Sequence, residues 1–199
     1  MPLNLSDIVK NPDLLTFKIP LPSGELVILR PLEIDDVDPL AQFLEKLSPM
    51  TREYYVLDSY DASTAKELCD AISHYDKLRF VLVNDSNQKI IALFEFSFDI
   101  PENDLKRYRR YNIQLDSKTD CRVGPCITDN YQNRGIGSAT FPKLFYIAQQ
   151  FGQKRVILWG GVFTTNKRAI NFYNKIGFKK LGIFKNKDGK ESVDMIINI

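Results

Sequence analysis

The sequence predicts a mixed α/β fold in a single domain. Two observations carry this. Helical patterns lead and extended runs follow, and the chain finishes in a strand-helix-strand-helix order. The 199 residues are 44% hydrophobic and 26% charged, which is globular and enough for one well-filled core. No internal repeat or low-complexity segment interrupts the pattern. The domain is expected to span residues 1–199, with 1–24 as an N-terminal extension packed on or near it.

Each element has a local reason. "TFKIPLPSGELVILRPL" reads as two short extended pieces around the turn Pro22-Ser23-Gly24. "DDVDPLAQFLEKL" spaces Val37, Leu40, Phe43, Leu44 and Leu47 helically, with acidic residues at its start. "SPMTREYYVLDSY" reads as loop or irregular helix. "STAKELCDAISHY" is a second helix, with Ser63 or Thr64 as N-cap and Glu67 completing a capping box. "RFVLVND", the turn "SNQ" and "KIIALFEFSFDI" form a hairpin. "PENDLKRYRRYNIQLDSK" is a polar connection, and "CRVGPCIT" is another strand.

After Gly135 the period turns helical. Phe141, Leu144, Phe145, Ala148 and Phe151 share a face, and Gly152 marks the stop. Pro142 removes a helical hydrogen bond, so a kink or restart is expected there. "RVILWG" is a short buried strand. "NKRAINFYNKI" is a helix capped by Asn166 and ended by Gly177, and "FKKLGIFKN", "KDG" and "ESVDMIINI" close the chain as a hairpin.

Composition excludes several functions. A net charge of +2 is too small to imply nucleic acid by itself. Three scattered cysteines, Cys69, Cys121 and Cys126, do not make a disulfide framework and fit a reducing compartment. A single histidine, His74, reads as a surface residue and leaves a His-based metal site or catalytic triad without its ligands. The start "MPLNLSDIVKNPDLL" lacks the basic and apolar regions of a signal peptide, and no apolar run is long enough to span a membrane. A cytoplasmic location is therefore expected.

The stretch most suggestive of chemistry is "DNYQNRGIGSAT". A dinucleotide fingerprint needs a Gly or Ala where Thr140 stands, and an acidic ribose partner further on that is missing. A nucleoside-triphosphate loop needs Gly-Lys-Ser/Thr, which is absent. A bare surface turn remains the plain alternative. The glycines lie between a strand and a helix, however. The free N–H groups and dipole of that helix favour an anion at the loop, and Arg134 adds charge, a combination that suits a pyrophosphate.

Gln132-Asn133-Arg134-Gly135-Ile136-Gly137 resembles Gln/Arg-x-x-Gly-x-Gly/Ala, the acyl-CoA pyrophosphate loop of the GNAT superfamily of N-acetyltransferases. "NKRAINFYNKIGF" is similar to the same family's Asn-x-x-Ala-x-x-x-Tyr-x-x-x-Gly-Phe through Asn166, Ala169, Tyr173, Gly177 and Phe178. "VILRPLEIDDVDPL" looks like its opening strand and first helix, so the resemblance covers roughly residues 25–199. It implies a mostly antiparallel sheet flanked by helices, with strands splayed at a cofactor cleft between "CRVGPCIT" and "RVILWG".

The resemblance also implies an activity, the transfer of an acetyl group from acetyl-CoA to a primary amine by direct attack. Cofactor and amine need only be held close and in line. It places the pyrophosphate at the backbone of Gln132 to Ser138 and the pantetheine arm near Cys126 and Ile127, where an N–H can polarise the thioester carbonyl. Asn166, Ala169 and Tyr173 join the cofactor contacts, and Tyr173 matches the family's general acid. As residues alone, Tyr173 reads as core, Asn166 as an N-cap, and Lys143, Lys167 and Arg168 as solvated charges.

A base is harder to find. The family often has a Glu on the central strand before the loop, and that neighbourhood holds Arg122 here. Glu95 and Asp120 are the available carboxylates. Glu95 either shares a buried face with Phe94, Phe96 and Phe98, which would raise its pKa, or alternates outward to solvent. A water chain is a third route. Cys121 and Cys126 read as buried small hydrophobes, with no nearby His to activate them. "KRYRRY", Lys106 to Tyr111, reads as a solvated loop; if functional, it faces the acceptor or nucleic acid. Two other functions stay open: a non-catalytic acyl-CoA sensor and, less favoured, a nucleic-acid-binding module. The partners expected are a small-molecule or peptide amine and no membrane, and a homodimer is left open.

Overall fold

A computed structural model describes residues 2–71 and 77–199. His74 and the end of the second predicted helix lie outside them. The strands are β1 (Phe17–Pro20), β2 (Leu26–Pro31), β3 (Lys77–Asn84), β4 (Ile90–Ser97), β5 (Asp120–Ile127), β6 (Arg155–Leu158), β7 (Val162–Phe163), β8 (Lys179–Lys185) and β9 (Glu191–Asn198). They form one open sheet in the order β1-β2-β3-β4-β5-β6-β9-β7, with β8 also on β9. Among the described residues, only β5 and β6 run parallel; the remaining pairs are antiparallel. The fold is thus a mixed α/β sheet, mostly antiparallel and flanked by helices.

Side chains alternate across the sheet and sort into two layers. On one face Phe80, Phe94, Phe96, Cys121, Val123 and Val156 pack under α1 (Leu5–Lys10), α6 (Ile136–Gln150) and α7 (Lys167–Lys175), through Ile8, Phe141, Leu144, Ile170 and Tyr173. On the other, Val81, Leu93 and Cys126 meet α2 (Val37–Glu45) and α4 (Ala62–Asp70) through Leu40, Leu44, Leu68 and Cys69. The same face also carries α3 (Pro49–Tyr54), whose neighbour Tyr55 packs on this layer, and α5 (Glu102–Arg109), whose Tyr108 joins Ile157 and Ile196. The first residues are tied down: Leu3 N–H bonds the Gln150 carbonyl at 2.8 Å, and Ile8, Leu15 and Ile19 are buried.

Several local expectations change. The N-cap of α4 is Asp61, whose side chain accepts from the N–H groups of Ser63 and Thr64; Ser63 and Thr64 lie inside the first turn. Helix α6 runs unbroken through Pro142. The polar connection holds α5. Its Arg107 pairs with Asp194 at 2.6 Å, Tyr108 is fully buried, and Lys106 and Arg109 flank Glu102 at 3.9 and 3.8 Å. Most of the "KRYRRY" segment is therefore spent on packing and ion pairs, and the Tyr111 hydroxyl also donates to Asp194, at 3.2 Å. Among the described residues, no helix is long and apolar enough to cross a membrane.

Candidate active site

Strands β5 and β6 pair only from Asp120↔Arg155 to Val123↔Leu158. One further bond, from Trp159 N–H to the Val123 carbonyl at 2.9 Å, ends the ladder. Beyond it β5 stays on β4 as far as Ile127, while the segment after β6 turns at Gly160-Gly161 into β7, which pairs with β9. A gap opens between them. Because Val123 faces this gap, the strand period places the backbone of Pro125 and Ile127 on the same edge and that of Gly124 and Cys126 against β4. Pro125 has no N–H, so Ile127 supplies the donor on that edge. Its carbonyl accepts from Gln132 Nε2 at 2.8 Å.

The glycine loop sits at the end of this edge. A 3-10 turn (Asp129–Tyr131) leads into Gln132, and Asn133 and Gly135 take left-handed backbone, φ 62 and 78. Gly135 is the N-cap of α6 and provides no side-chain acceptor, so the first N–H groups, of Ile136, Gly137 and Ser138, lack a helical partner. Left-handed turns followed by free N–H groups make an anion-binding concavity. The Ile136 side chain is buried in the core, while Asn133, Arg134 and Ser138 are exposed. Arg134 lies 3.9 Å from Glu25 and 5.2 Å from the centre of the Tyr131 ring. The loop residues present therefore fit a pyrophosphate.

Glu95 is buried, and it lies on the face opposite Phe94 and Phe96. It stands beside Gly124, at the mouth of the gap. Arg79 Nε donates to its Oε2 at 2.6 Å and the Tyr55 hydroxyl to its Oε1 at 2.6 Å. Burial, then the Glu95 charge, pushes the Tyr55 phenol well above its ordinary pKa. Trp159 packs over Gly124 at 3.6 Å from where a Cβ would stand, with the Arg122 guanidinium 4.4 Å from its ring centre. Asp120, the other candidate carboxylate, is fully buried at the far end of β5 and holds Arg155 through bonds of 2.7 and 2.6 Å.

Tyr173 lies in the layer behind the opposite face. Its ring packs against Phe172, Phe178 and Phe141 with centroids 5.3, 5.3 and 5.9 Å away. Burial raises its phenol pKa, so the hydroxyl carries its proton at neutral pH. Asn166 caps α7, its side chain accepting from Ala169 N–H at 3.1 Å. The cysteine thiols are buried and free. Burial pushes Cys69 up to about 12 and raises Cys121 and Cys126 as well, so none is a ready nucleophile.

The sequence did not point to Tyr55, Trp159, Ser48, Thr51 or Asp129. Ser48 and Thr51 meet Asp129 across 81 and 78 residues, and no periodicity or motif encodes that meeting. Burial pushes the Asp129 carboxyl up, but hydrogen bonds from the Ser48 hydroxyl and N–H and from Thr51 outweigh it and hold the pKa below its ordinary value.

The chain is similar to known proteins in sequence profile and in fold. A profile described as "Acetyltransferase (GNAT) family" matches residues 43–178. An uncharacterized N-acetyltransferase of Methanocaldococcus jannaschii is 37% identical over 59 residues, 30% of this chain and 25% of that protein, so the match spans a quarter of the relative's length. The solved GNAT domain of S. lividans PAT superposes with a TM-score of 0.74 at 19% identity, covering 94% of this chain and 99% of that one. A ribosomal-protein-S5-alanine acetyltransferase from Vibrio fischeri gives 0.68 at 15% identity, covering 86% and 92%. Mycobacterium smegmatis RimJ, solved in complex with CoA-disulfide, gives 0.63 at 16% identity, covering 92% and 86%.

Proposed function

Since this chain belongs to the GNAT family of acetyltransferases, we propose that it moves an acetyl group from acetyl-CoA to a primary amine by direct attack in a ternary complex. The observation that carries this is the gap beyond Val123, with Glu95 beside it on one sheet face and Tyr173 in the layer behind the other. The nine strands in one sheet support treating residues 1–199 as one domain, with 1–24 packed on it. The buried, free cysteines support a cytoplasmic setting.

Acetyl-CoA supplies the activated acetyl thioester when bound. The N–H groups between Gln132 and Ser138 receive its pyrophosphate, with Arg134 turning from Glu25 to the phosphate charge. Asn166 and Ala169 open α7, whose Phe172 packs on Gly137, and they join the cofactor contacts in this reading. The edge of β5 at Ile127 orients the arm, while Cys126, whose backbone lies against β4, backs that edge, and the Ile127 N–H stabilises charge on the carbonyl oxygen. Glu95, oriented by Arg79 and Tyr55, accepts the amine proton directly or through water; each of its oxygens keeps a second acceptor position. Tyr173 donates a proton to the departing sulfur.

Two observations favour a second reading, an acyl-CoA sensor: both oxygens of Glu95 already hold a hydrogen bond, and Arg122 takes the strand position where a Glu is common in the family. A panel of amines separates the two, with thiol release from acetyl-CoA as the signal. The panel holds an N-terminal peptide amine, a polyamine and an aminoglycoside, and the neighbour named as a ribosomal-protein-S5-alanine acetyltransferase supports including the peptide. Acceptor-dependent release supports the enzyme. CoA binding in calorimetry without release across the panel supports the sensor.

A further inference from the structure

The loop and helix α3 are joined by a closed set of side-chain hydrogen bonds. Asp129 Oδ1 accepts from the Ser48 hydroxyl at 2.6 Å and the Thr51 hydroxyl at 2.8 Å, and its Oδ2 accepts from Ser48 N–H at 3.0 Å. Thr51 Oγ1, having given its proton to Asp129, accepts from Gln132 Nε2 at 3.1 Å. That same nitrogen donates to the Ile127 carbonyl at 2.8 Å. The Ser48 hydroxyl lies 2.6 Å from Asp129 Oδ1 and 3.4 Å from Thr51 Oγ1, so the shorter, charge-assisted bond to the carboxylate directs its proton. Thr51 is buried, which makes an unpaired hydroxyl there costly.

The two ends of this set lie at different parts of the site. Ile127 closes the β5 edge and Gln132 opens the glycine loop. Thr51 lies within α3, and Tyr55, the residue that ends α3, places its hydroxyl on Glu95 at 2.6 Å. The Gln132 side chain thus faces α3 and the strand end, leaving only its backbone for a phosphate. A short helix of six residues has little stability of its own and depends on such ties.

We propose that Asp129 and Thr51 are positioning residues that lock α3 to the glycine loop, so that occupation of the loop by CoA also orders Tyr55 and Glu95 on the acceptor side. The inference rests on the reading of the loop as a CoA site. Neither residue touches a reacting atom. Each acts through Gln132 on one side and through α3 on the other. By reciprocity, an acceptor that orders α3 tightens CoA binding by the same factor.

Hydrogen exchange on the full chain, with and without CoA, tests this. CoA binding is followed in parallel by calorimetry and by fluorescence of Trp159, the one tryptophan. In the wild type, CoA should slow exchange in residues 48–55 by roughly 5–150-fold, the usual range for coupled sites. Thr51→Val keeps the shape and removes the hydroxyl; it should still bind CoA but lose that protection, and Thr51→Ser should restore it. Asp129→Asn should behave as Thr51→Val does, and if it fails to fold the Val and Ser pair decides alone. Wild-type binding without protection of residues 48–55, or full protection retained in Thr51→Val, overturns the coupling. Absence of CoA binding by the wild type overturns the cofactor reading and the coupling with it.

Discussion

The ring of Phe172 comes within 2.6 Å of the point where a Cβ on Gly137 would stand. Real Cβ contacts are not that short, so position 137 has no room for a side chain while α6 and α7 pack as they do. The second glycine of the loop is therefore required by the contact of two helices, as well as standing beside the free N–H groups. Gly135 has its own reasons: φ is +78, and a Cβ there would meet Pro22 at 2.9 Å.

Gly137→Ala should destabilise the chain by about 1–3 kcal/mol, the usual cost of overpacking. Phe172→Leu in the same chain should recover part of the loss, because the two sites are in contact. Denaturant unfolding of the single and double variants measures both. A single-variant loss below about 0.5 kcal/mol, typical of an unconstrained surface site, contradicts the contact.

Glu95→Gln should act on stability and on turnover. It leaves the Arg79 guanidinium buried without its counter-charge, a change that costs about 3–5 kcal/mol when a buried pair is broken. If Glu95 accepts the amine proton, turnover should fall by roughly 10²–10⁴. Tyr55→Phe removes only the hydroxyl. The Tyr55 pKa is raised in the fold, so its contribution is fully present below the ordinary value of 10.0 and is lost only as pH rises through the higher folded value. Stability of wild type and Tyr55→Phe should thus run parallel between pH 6 and 9. Converging curves in that window would refute the assignment.

Asp61 should set part of the acid limb of stability. Hydrogen bonds from the hydroxyls of Ser63 and Ser59, then from Thr64 N–H, lower its pKa from 3.8 to about 2. The contribution of its charged form is present above 3.8 and is lost as pH falls through about 2. Asp61→Asn keeps a capping side chain but has no such titration. Thermal midpoints of the two proteins should differ most above pH 4 and draw together near pH 2. A constant difference across that range would show that the charge does not matter.

Tyr173→Phe separates acid from core. The ring stays in its aromatic cluster, so CoA affinity should change little. Turnover should fall by roughly 10²–10⁴ if the hydroxyl protonates the departing sulfur. Near-wild-type rates, with an acceptor identified and chemistry shown to limit them, would return Tyr173 to a packing role. A large loss of CoA affinity would make it a cofactor contact.

Most of the architecture was legible because it is local. The period of Phe141, Leu144 and Ala148 marks one face of α6, Asn166 and Gly177 bracket α7, and two apolar runs about a polar turn mark β3 and β4. The misreadings have local causes too. Asp61 outranked Ser63 and Thr64 as a cap because its carboxylate reaches two N–H groups at once. Helix α5 was hidden because its periodic face is mostly charged: Asp104 and Arg107 go inward as ions, paired with each other and with Asp194.

By itself, the sequence determined where most of the helices and strands lie, the strand-loop-helix context of Gln132 to Ser138, and the family's two motifs. All of these follow from neighbours within a few turns of the chain, where period, capping and backbone freedom act. Tertiary structure alone decided which face of β4 carries Glu95, that Arg79 and Tyr55 hold it, and that Phe172 claims the space beside Gly137. It also decided that Asp129 ties Ser48 and Thr51 to the loop. Those partners lie 16 to 81 residues apart. A strand has two faces that alternation alone cannot rank when both are buried, and the choice falls to whichever layer can pair the charge.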